Sequence, residues 1–311
     1  TALTAAACGR DDDGGQAPAE AEPIGEGPAG GELTVWAMGA EGENLPELIK
    51  GFEEANPDVT VTVTPVPWDS AHDKFTSAIA AGTAPDVAQV GSTWMAEFVG
   101  LDALEPTPEE IDLSGYFEGA VDAIQVDDVA YGVPWYVETR LVFYRTDLAE
   151  QAGITEPPTD WEGLTAMAVA LQEQADAEWG IALQPGGTGS WQTVVPLMWS
   201  NGGGVVSEDD SEFTFDSAEN AEALAYYQSF FDEGIADDAP AEGTTEQDFV
   251  SGRVPMFLSG PWMMGAVEAV GGEGFDQKYG VFVMPTKEVS ASFLGGANLA
   301  VFQGSENRDA A

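Results

Sequence analysis

The sequence predicts an α/β protein whose first half contains a mostly parallel sheet. From Glu32 onward, short strand patterns rich in Val, Leu and Thr alternate with amphipathic helical patterns, and this alternation restarts after Tyr144. The chain has 311 residues, of which 44% are hydrophobic, so it can bury one large core or two ordinary ones. A β-α-β-α-β succession of this kind predicts a three-layer α/β lobe.

The first elements are marked by their apolar periodicity. Residues 33–36 have a short strand pattern, and Val alternates with Thr over 59–66, where Pro65 indicates an edge strand. Between these strands we predict a helix that stops at Asn56 and carries four apolar residues at helical spacing, Leu45, Leu48, Ile49 and Phe52. The remaining predicted elements of this half are a helix over 72–81 and a strand over 85–90.

The second half continues the alternation without repeating the sequence. Asp160 is a predicted N-cap of a helix whose core face carries Leu164, Met167 and Leu171. Another helix begins at Asp216 or Ser217, and the inward face predicted for it comprises Ala221, Leu224, Tyr227 and Phe231. Strands are predicted over 141–144, 180–183, 254–258 and 281–284, and an extended crossing over 293–301.

Composition excludes several classes of function. The chain has 55 acidic and 9 basic residues, a net charge of −46 and a sequence pI near 4.1. Such a balance disfavours nucleic acid and a polybasic membrane patch, because both need clustered Lys and Arg. The single Cys and the single His, His72, exclude an intrachain disulfide and leave little for a zinc site or Ser-His-Asp hydrolysis. We therefore expect no metal and no cofactor.

The N-terminal residues are typical of an exported, anchored protein. Thr1 to Ala7 are small and mostly apolar and end at Cys8, as in a secretion signal that terminates at a lipid-modified cysteine. Residues 10–31 have a tether composition with little to bury, so we predict a lipid anchor and disordered tether over 1–31. The alternative is an incidental Cys in a frayed terminus. The first residue is not Met, and the last residues, 305–311, begin a helix pattern, so we expect both ends to be incomplete.

Tryptophans recur where predicted strands end. Six of the 9 Trp residues do so: Trp36, Trp68, Trp94, Trp135, Trp191 and Trp262. Ligands of open α/β sheets bind outside the carboxyl ends of the strands. Aromatic faces suit the C–H side of a sugar, and carboxylates and amides suit its hydroxyls. The pattern indicates a site for uncharged polyols. For any single Trp, the alternative interpretation is an aromatic ring that packs in the core.

Seven segments together carry a resemblance to a known family. They are E-L-T-V-W at 32–36, G-F-E-E-A-N-P-D-V at 51–59, A-G-T-A-P-D-V at 81–87, Y-G-V-P-W-Y at 131–136, L-V-F-Y-R-T-D-L at 141–148, G-R-V-P-M-F-L-S-G-P-W at 252–262 and L-G-G-A-N-L-A-V-F at 294–302. By these segments the chain resembles extracellular solute-binding proteins of ABC transporters, in the carbohydrate-uptake class that includes maltose-, trehalose- and multiple-sugar-binding proteins.

The resemblance implies a two-lobed periplasmic-binding-protein-like fold (type II), with two three-layer α/β lobes around a ligand cleft. Crossings between the lobes are implied near 137–140 and 295–297. Lobe 1 would comprise 32–137 plus 297–311, and lobe 2 would comprise 138–296. The family continues past the second crossing, so both lobes are expected to be incomplete here.

The resemblance and the tryptophan pattern together imply a set of ligand contacts. They are Glu41, Trp68, Ser92, Thr93, Trp94, Tyr136, Glu138, Trp191, Trp262, Gly295 and Gly296. Gly295 and Gly296 have a hinge as their alternative role. Asp86 is predicted to be a structural turn or cap carboxylate, and Arg140 and Arg145 are predicted to form ion pairs that steady the crossing.

The implied function is capture of a sugar, a disaccharide or an oligosaccharide, by hinge closure and its delivery to the transmembrane subunits of an ABC permease. The implied protein is a non-catalytic monomer on the extracellular side of the membrane, which it contacts through a lipid anchor only. One alternative keeps the fold and changes the cargo to a peptide, a polyamine or a metal chelate. Another is a secreted glycoside hydrolase, which would need two carboxyl groups placed across the scissile bond.

Overall fold

A computed structural model describes residues 21–25, 27–187, 189–207 and 211–311. The prediction for Cys8 and most of the predicted tether lie outside the described residues. The chain divides into two compact units. Unit 1 comprises the described residues up to Trp135 together with Ala297–Ala311, and unit 2 comprises Tyr136–Gly296. Within the described ranges, no helix combines the length and the hydropathy that a membrane span requires.

The described residues contain ten strands. They are β1 (Gly31–Met38), β2 (Val59–Val66), β3 (Val87–Gly91), β4 (Gln125–Val126), β5 (Val129–Ala130), β6 (Val133–Thr139), β7 (Leu141–Arg145), β8 (Met256–Ser259), β9 (Tyr279–Val283) and β10 (Leu294–Val301). β6 and β10 are the two strands along which the chain passes from one unit to the other.

The same ranges contain ten α-helices and two 3-10 helices. The α-helices are α1 (Gly39–Ala55), α2 (Trp68–Ala81), α3 (Met95–Gly100), α4 (Glu118–Asp122), α5 (Thr146–Gln151), α6 (Trp161–Gln174), α7 (Trp191–Ser200), α8 (Ala218–Asp232), α9 (Thr245–Ser251) and α10 (Met263–Gly271). The 3-10 helices are Ser92–Trp94 and Phe275–Gln277.

Unit 1 is built on a sheet with the strand order β2-β1-β3-β10-β6. β1 pairs in parallel with both β2 and β3, and β10 pairs antiparallel with β3. The parallel β-α-β-α-β succession predicted from the sequence is therefore confirmed. β2 lies at the edge of the sheet and contains Pro65, as predicted, because proline cannot donate a backbone hydrogen bond to a further strand.

Helix α1 buries less of its apolar face than its periodicity predicts. Leu45 is buried and Ile49 is partly buried against the core formed with β1, whereas Leu48 is 67% exposed. Phe52 is also exposed. The spacing of apolar residues along a helix does not predict how much of its apolar face the neighbouring strands cover. Here only the two residues nearest the sheet are packed.

Asp86 joins three segments of unit 1. Its Oδ2 accepts hydrogen bonds from the backbone N and the Oγ1 of Thr34, each at 2.8 Å, and its Oδ1 accepts one from Ser305 Oγ at 2.6 Å. Burial alone would raise the pKa of Asp86, but the hydrogen bonds from Ser305 and Thr34 hold the pKa of this carboxyl below its ordinary value. The prediction of a structural carboxylate is confirmed.

Unit 2 is built on a second sheet of antiparallel strands with the order β8-β7-β9. Helix α6 packs against it through the predicted residues Leu164, Met167 and Leu171, which are all buried. The Asp160 side chain accepts a hydrogen bond from Gly163 N at 2.7 Å, so the predicted N-cap is confirmed.

The predicted inward face of α8 is wrong at Ala221 and Leu224, whereas Tyr227 is buried and Phe231 is partly buried against the core. Ala221 and Leu224 are exposed, and the buried positions are Asn220, Ala223, Tyr227 and Phe230. The reason is Asn220, whose amide donates to the carbonyl oxygens of Gly204 at 2.7 Å and Phe215 at 3.0 Å. The buried face therefore runs through Asn220 and the residues at helical spacing from it, next to the predicted face.

The strand predicted over 180–183 is also wrong. Only an isolated bridge from Ala182 to Phe257 is present there. The N–H groups of this segment go to different partners: Gly180 N donates to Ile235 O at 2.8 Å, whereas Ala182 N donates to Met256 O at 2.7 Å. A segment whose donors are divided in this way cannot form a continuous ladder with one strand.

Arg145 ties β7 to the end of α9. It is only 7% exposed, and its guanidinium donates to both carboxylate oxygens of Asp147, each at 2.7 Å. Its Nη1 also donates to the carbonyl oxygens of Phe249 at 3.0 Å and Val250 at 2.7 Å. The predicted ion pair is confirmed, and the guanidinium meets partners on three sides.

We expect Arg145→Met to lower the free energy of unfolding by about 2–3 kcal/mol, because it removes a buried guanidinium from its pair with the partly exposed Asp147 and leaves two carbonyl groups without their donor. Urea denaturation of the wild type and the variant measures the difference. Arg253→Met is the matched control. Arg253 pairs with Glu178 and Asp248 but is 39% exposed, so we expect its loss to cost less than about 1 kcal/mol. Equal losses in the two variants would contradict the prediction.

We expect Asp86→Asn to destabilise the protein at neutral pH and to weaken its acid sensitivity. A carboxyl whose pKa is lowered by folding contributes stability above its unfolded pKa of about 3.9, and this contribution is lost as the pH falls through the lower folded pKa. The gap in unfolding free energy between wild type and variant should therefore narrow between about pH 5 and pH 2. A gap that stayed constant over this range, measured by denaturant melts, would refute the assignment.

Candidate functional site

Three predicted site segments of unit 1 follow neighbouring parallel strands. Glu41 lies in the first turn of α1, directly after β1, and Trp68 opens α2 after β2. The 3-10 helix Ser92–Trp94 follows β3. Because β2, β1 and β3 are adjacent and parallel, their carboxyl ends share one edge of the sheet. The sheet topology therefore gathers these segments at the edge where α/β sheets bind ligands.

The side chains at this edge approach one another closely around Gly39. A Cβ atom placed on Gly39 would lie 2.9 Å from Nε1 of Trp68 and 3.4 Å from Oε2 of Glu41. Gly39 has a φ of 56°, a left-handed conformation that glycine adopts without strain. The rings of Trp68 and Trp94 lie 5.7 Å apart between centroids. We call Glu41, Trp68 and Trp94 the unit 1 group.

Ser92 and Thr93 lie on the same 3-10 turn as Trp94. Ser92 is partly buried and Thr93 is exposed. Behind them the Trp94 ring is braced by Phe75 at 6.3 Å and by His72 at 5.4 Å. His72 is held in turn by Glu97, whose Oε2 lies 2.8 Å from its Nε2. This support keeps the indole of Trp94 in place, and no pattern in the sequence predicts it.

Trp36 does not belong to the unit 1 group. Its ring packs on Phe75 at 5.3 Å, and Lys74 Nζ lies 4.0 Å from its centroid. Trp36 therefore has the alternative role that the sequence allows for a tryptophan at a strand end, since its ring packs in the core. Trp36 is part of β1 itself, whereas Trp68 and Trp94 follow their strands.

Unit 2 has a second group, centred on Arg140. Arg140 is 4% exposed, and its Nη1 lies 3.1 Å from Oε1 of Glu138, so the predicted ion pair is confirmed. Its Nη2 donates to Oε1 of Gln192, in the first turn of α7. Ser292 Oγ donates to the backbone carbonyl of Arg140 at 2.9 Å, and Thr139 Oγ1 donates to Ser292 Oγ at 2.9 Å. Side chain and backbone of Arg140 are thus both fixed.

Aromatic rings surround the same guanidinium. Its Cζ lies 4.8 Å from the ring centroid of Trp262 and 5.1 Å from that of Phe293. Trp191 meets Phe293 edge to face at 5.1 Å. Trp262 is 46% exposed and Trp191 is 38% exposed, so each presents apolar surface to solvent. The unit 2 group comprises Glu138, Arg140, Trp191, Gln192, Trp262 and Phe293.

Glycines permit the close approach of backbone and rings in unit 2. Gly296 has a φ of 147°, and a Cβ on it would lie 2.1 Å from the carbonyl oxygen of Tyr136. A Cβ on Gly295 would lie 2.0 Å from the ring of Phe293. These contacts require glycine at both positions for packing reasons alone. Tyr136 is partly buried and, by period-two alternation, lies on the same face of β6 as Glu138.

The structure therefore brings six of the predicted site residues into two groups, three in each unit. Gln192 and Phe293 belong to the unit 2 group but were not predicted. Each is adjacent or close in sequence to a predicted residue, Trp191 or Gly295, yet neither has a periodicity or motif of its own. In the ranges that the structure describes, no cluster of three His, Cys, Asp or Glu residues is arranged to hold a metal ion.

The two groups share one chemistry. Each has an indole surface, a carboxylate and a neutral hydrogen-bonding group. The neutral group is the indole N–H of Trp68 in unit 1 and the amide of Gln192 in unit 2. Flat apolar faces beside acceptors and donors match a ligand with C–H faces and hydroxyl edges.

Comparisons with known proteins agree with this picture. Residues 37–311 match the profile of the bacterial extracellular solute-binding proteins. The diacetylchitobiose binding protein DasA of Streptomyces coelicolor is 30% identical over 323 residues, which cover 99% of this chain and 73% of DasA.

Solved structures extend the likeness to the fold. A solute-binding protein of an ABC transporter from Thermotoga lettingae, bound with α-D-tagatose, is 27% identical with a TM-score of 0.81, and covers 90% of this chain and 74% of its own. The GacH receptor of Streptomyces glaucescens, solved unliganded and with acarbose, is 29% identical with a TM-score of 0.80 and the same coverage. The predicted type II fold class is confirmed, and the chain belongs to the family of bacterial extracellular solute-binding proteins.

Proposed function

We propose that the protein captures a sugar outside the cell for an ABC importer and releases it chemically unchanged. The observation that carries the proposal is the unit 2 group, in which the exposed faces of Trp191 and Trp262 stand beside the carboxylate of Glu138 and the amide of Gln192. Relatives whose names state diacetylchitobiose, tagatose or acarbose as ligand support the carbohydrate class.

The interactions that these two groups offer a sugar are strong enough for roughly micromolar binding. An indole ring stacked on C–H groups contributes about 0.5–1.5 kcal/mol beyond its buried area. A hydroxyl donated to a desolvated carboxylate contributes roughly 1.5–3 kcal/mol. In the unit 2 group Glu138 supplies the carboxylate, and a carboxylate has two oxygens with about four lone-pair directions. The unit 1 group offers the same elements through Glu41, Trp68 and Trp94, with Ser92 and Thr93 on the adjoining turn.

Binding without chemical change is favoured over hydrolysis by the family of the chain. The matching profile and the relatives are those of solute-binding proteins. A glycosidase would in addition need two carboxyl groups placed across the scissile bond.

Three further parts of the proposal rest on the family and the sequence. The chain passes between the units at Trp135–Tyr136 and Gly296–Ala297, and these crossings are where a hinge for ligand-driven closure would act. Delivery of the sugar would be to the transmembrane subunits of a permease. The protein would act as a monomer held at the extracellular side of the membrane by a lipid on Cys8.

We expect calorimetric titration with a panel of mono-, di- and oligosaccharides to find at least one ligand with reversible, roughly micromolar binding. Trp262→Ala should weaken that affinity by about tenfold or more, because it removes an exposed stacking face. Phe213→Ala is the control, since Phe213 is 85% exposed and belongs to neither group. Binding of peptides or polyamines but no sugar, or release of reducing sugar from the titrant, would contradict the proposal.

We expect the precursor protein, expressed in a bacterial host that processes lipoproteins, to label with radioactive palmitate and to sediment with membranes. Cys8→Ser should abolish the label and move the protein to the soluble fraction, because a thiol is the attachment point and this chain has a single Cys. Membrane association that persists unchanged in Cys8→Ser would exclude the proposed anchor.

A further inference from the structure

The chemistry of the unit 2 group raises a question of selectivity. A carboxylate beside exposed indole rings attracts organic cations at least as well as it attracts neutral sugars, because cations gain both ion pairing and cation–π contact. The net charge of −46 draws cations to the surface in addition. Something in the group must oppose cations if the ligand is a neutral polyol.

Arg140 supplies that opposing charge. Its guanidinium compensates the carboxylate of Glu138 at 3.1 Å and lies 4.8 Å from the ring centroid of Trp262. It therefore occupies the cation–π position on one side of the exposed indole that a cationic ligand would use. A second positive charge bound at this ring would lie within several ångströms of the first.

The positive charge is fixed and only 4% exposed. Gln192 accepts from its Nη2, and Ser292 holds its backbone carbonyl, so the guanidinium cannot swing away when a ligand arrives. Low exposure also means that water screens the repulsion poorly. Arg140 need not touch the ligand to act on it.

We propose that Arg140 is the residue that sets charge selectivity in the unit 2 group, so that it accepts neutral sugars and rejects their cationic amino counterparts. This inference rests on the proposed function and deepens it by naming the class of sugar. Without Arg140, Glu138 loses its guanidinium partner and Trp262 loses the cation beside it, which leaves a carboxylate and an indole arranged to bind an ammonium group.

Two pairs of probes test the inference, each a neutral sugar with its amino counterpart. They are N,N′-diacetylchitobiose with chitobiose, and glucose with glucosamine. Titrations at a pH of about 6 keep the amines protonated. About 0.5 M NaCl shortens the Debye length to roughly 4 Å and suppresses attraction by the distant surface charge. The quantity measured is the ratio of the dissociation constants for the cationic and the neutral member of a pair.

We expect the wild type to bind the neutral member about tenfold more tightly or better. Arg140→Gln should lower this ratio by about tenfold or reverse it, whereas Arg140→Lys should keep a preference for the neutral sugar because it keeps the charge. Arg253→Gln is the matched control. It removes the same charge from an exposed ion-pair network with Glu178 and Asp248, so the ratio should not change.

The outcomes separate the inference from the proposed function. A wild type that binds neutral and cationic members equally, or an Arg140→Gln variant with an unchanged ratio, overturns the inference and leaves sugar binding intact. A wild type that binds no neutral sugar overturns both. Circular dichroism and thermal melting check the fold of each variant. If Arg140→Gln does not fold, the ratios of the wild type and of Arg140→Lys still decide.

Discussion

The placement of two buried arginines is the constraint on which unit 2 depends. In a chain with 55 acidic and 9 basic residues, two guanidinium groups are nevertheless among its most buried polar groups. Arg140 precedes β7 and Arg145 ends it. Each pairs with a carboxylate two residues away, Glu138 or Asp147, and each has further acceptors from distant segments. A buried guanidinium without such partners would be strongly destabilising, and the hydrogen bonds of these two arginines link residues of α7 and α9 to the two ends of β7.

The same interaction links stability to ligand chemistry. Arg140 pairs with Glu138 and Gln192 and lies beside the ring of Trp262, so in our proposal it acts on a ligand through its charge. Unit 1 has a comparable surface that is built differently. Its group lies at the ends of three adjacent parallel strands and contains no arginine. Both routes yield indole faces beside acceptors, the surface that suits a polyhydroxy ligand.

Much of the fold could be predicted from local patterns, and the errors have identifiable causes. The alternation over 59–66, the Asp160 cap and the core face of α6 were all correct, because each depends on residues within one or two turns. The inward face of α8 was wrong at Ala221 and Leu224, because the buried Asn220 donates to loop carbonyls and hydrophobic periodicity does not predict a buried polar residue. The expected strand over 180–183 failed because its donors are divided between separate segments, Ile235 and Met256 among them.

The sequence by itself determined the α/β class, the order of the elements and the acidic, nearly His- and Cys-free chemistry, since these follow from composition and from spacing along one segment. It also indicated Glu138, Trp191 and Trp262 as site residues. Only the tertiary structure decided that Glu138 and Trp262 both contact Arg140, that Trp191 meets the ring of Phe293, and that Gln192 and Phe293 complete the group. Gln192 lies 52 residues from Arg140, and contacts at such separations are set by how whole elements pack, which no local periodicity encodes.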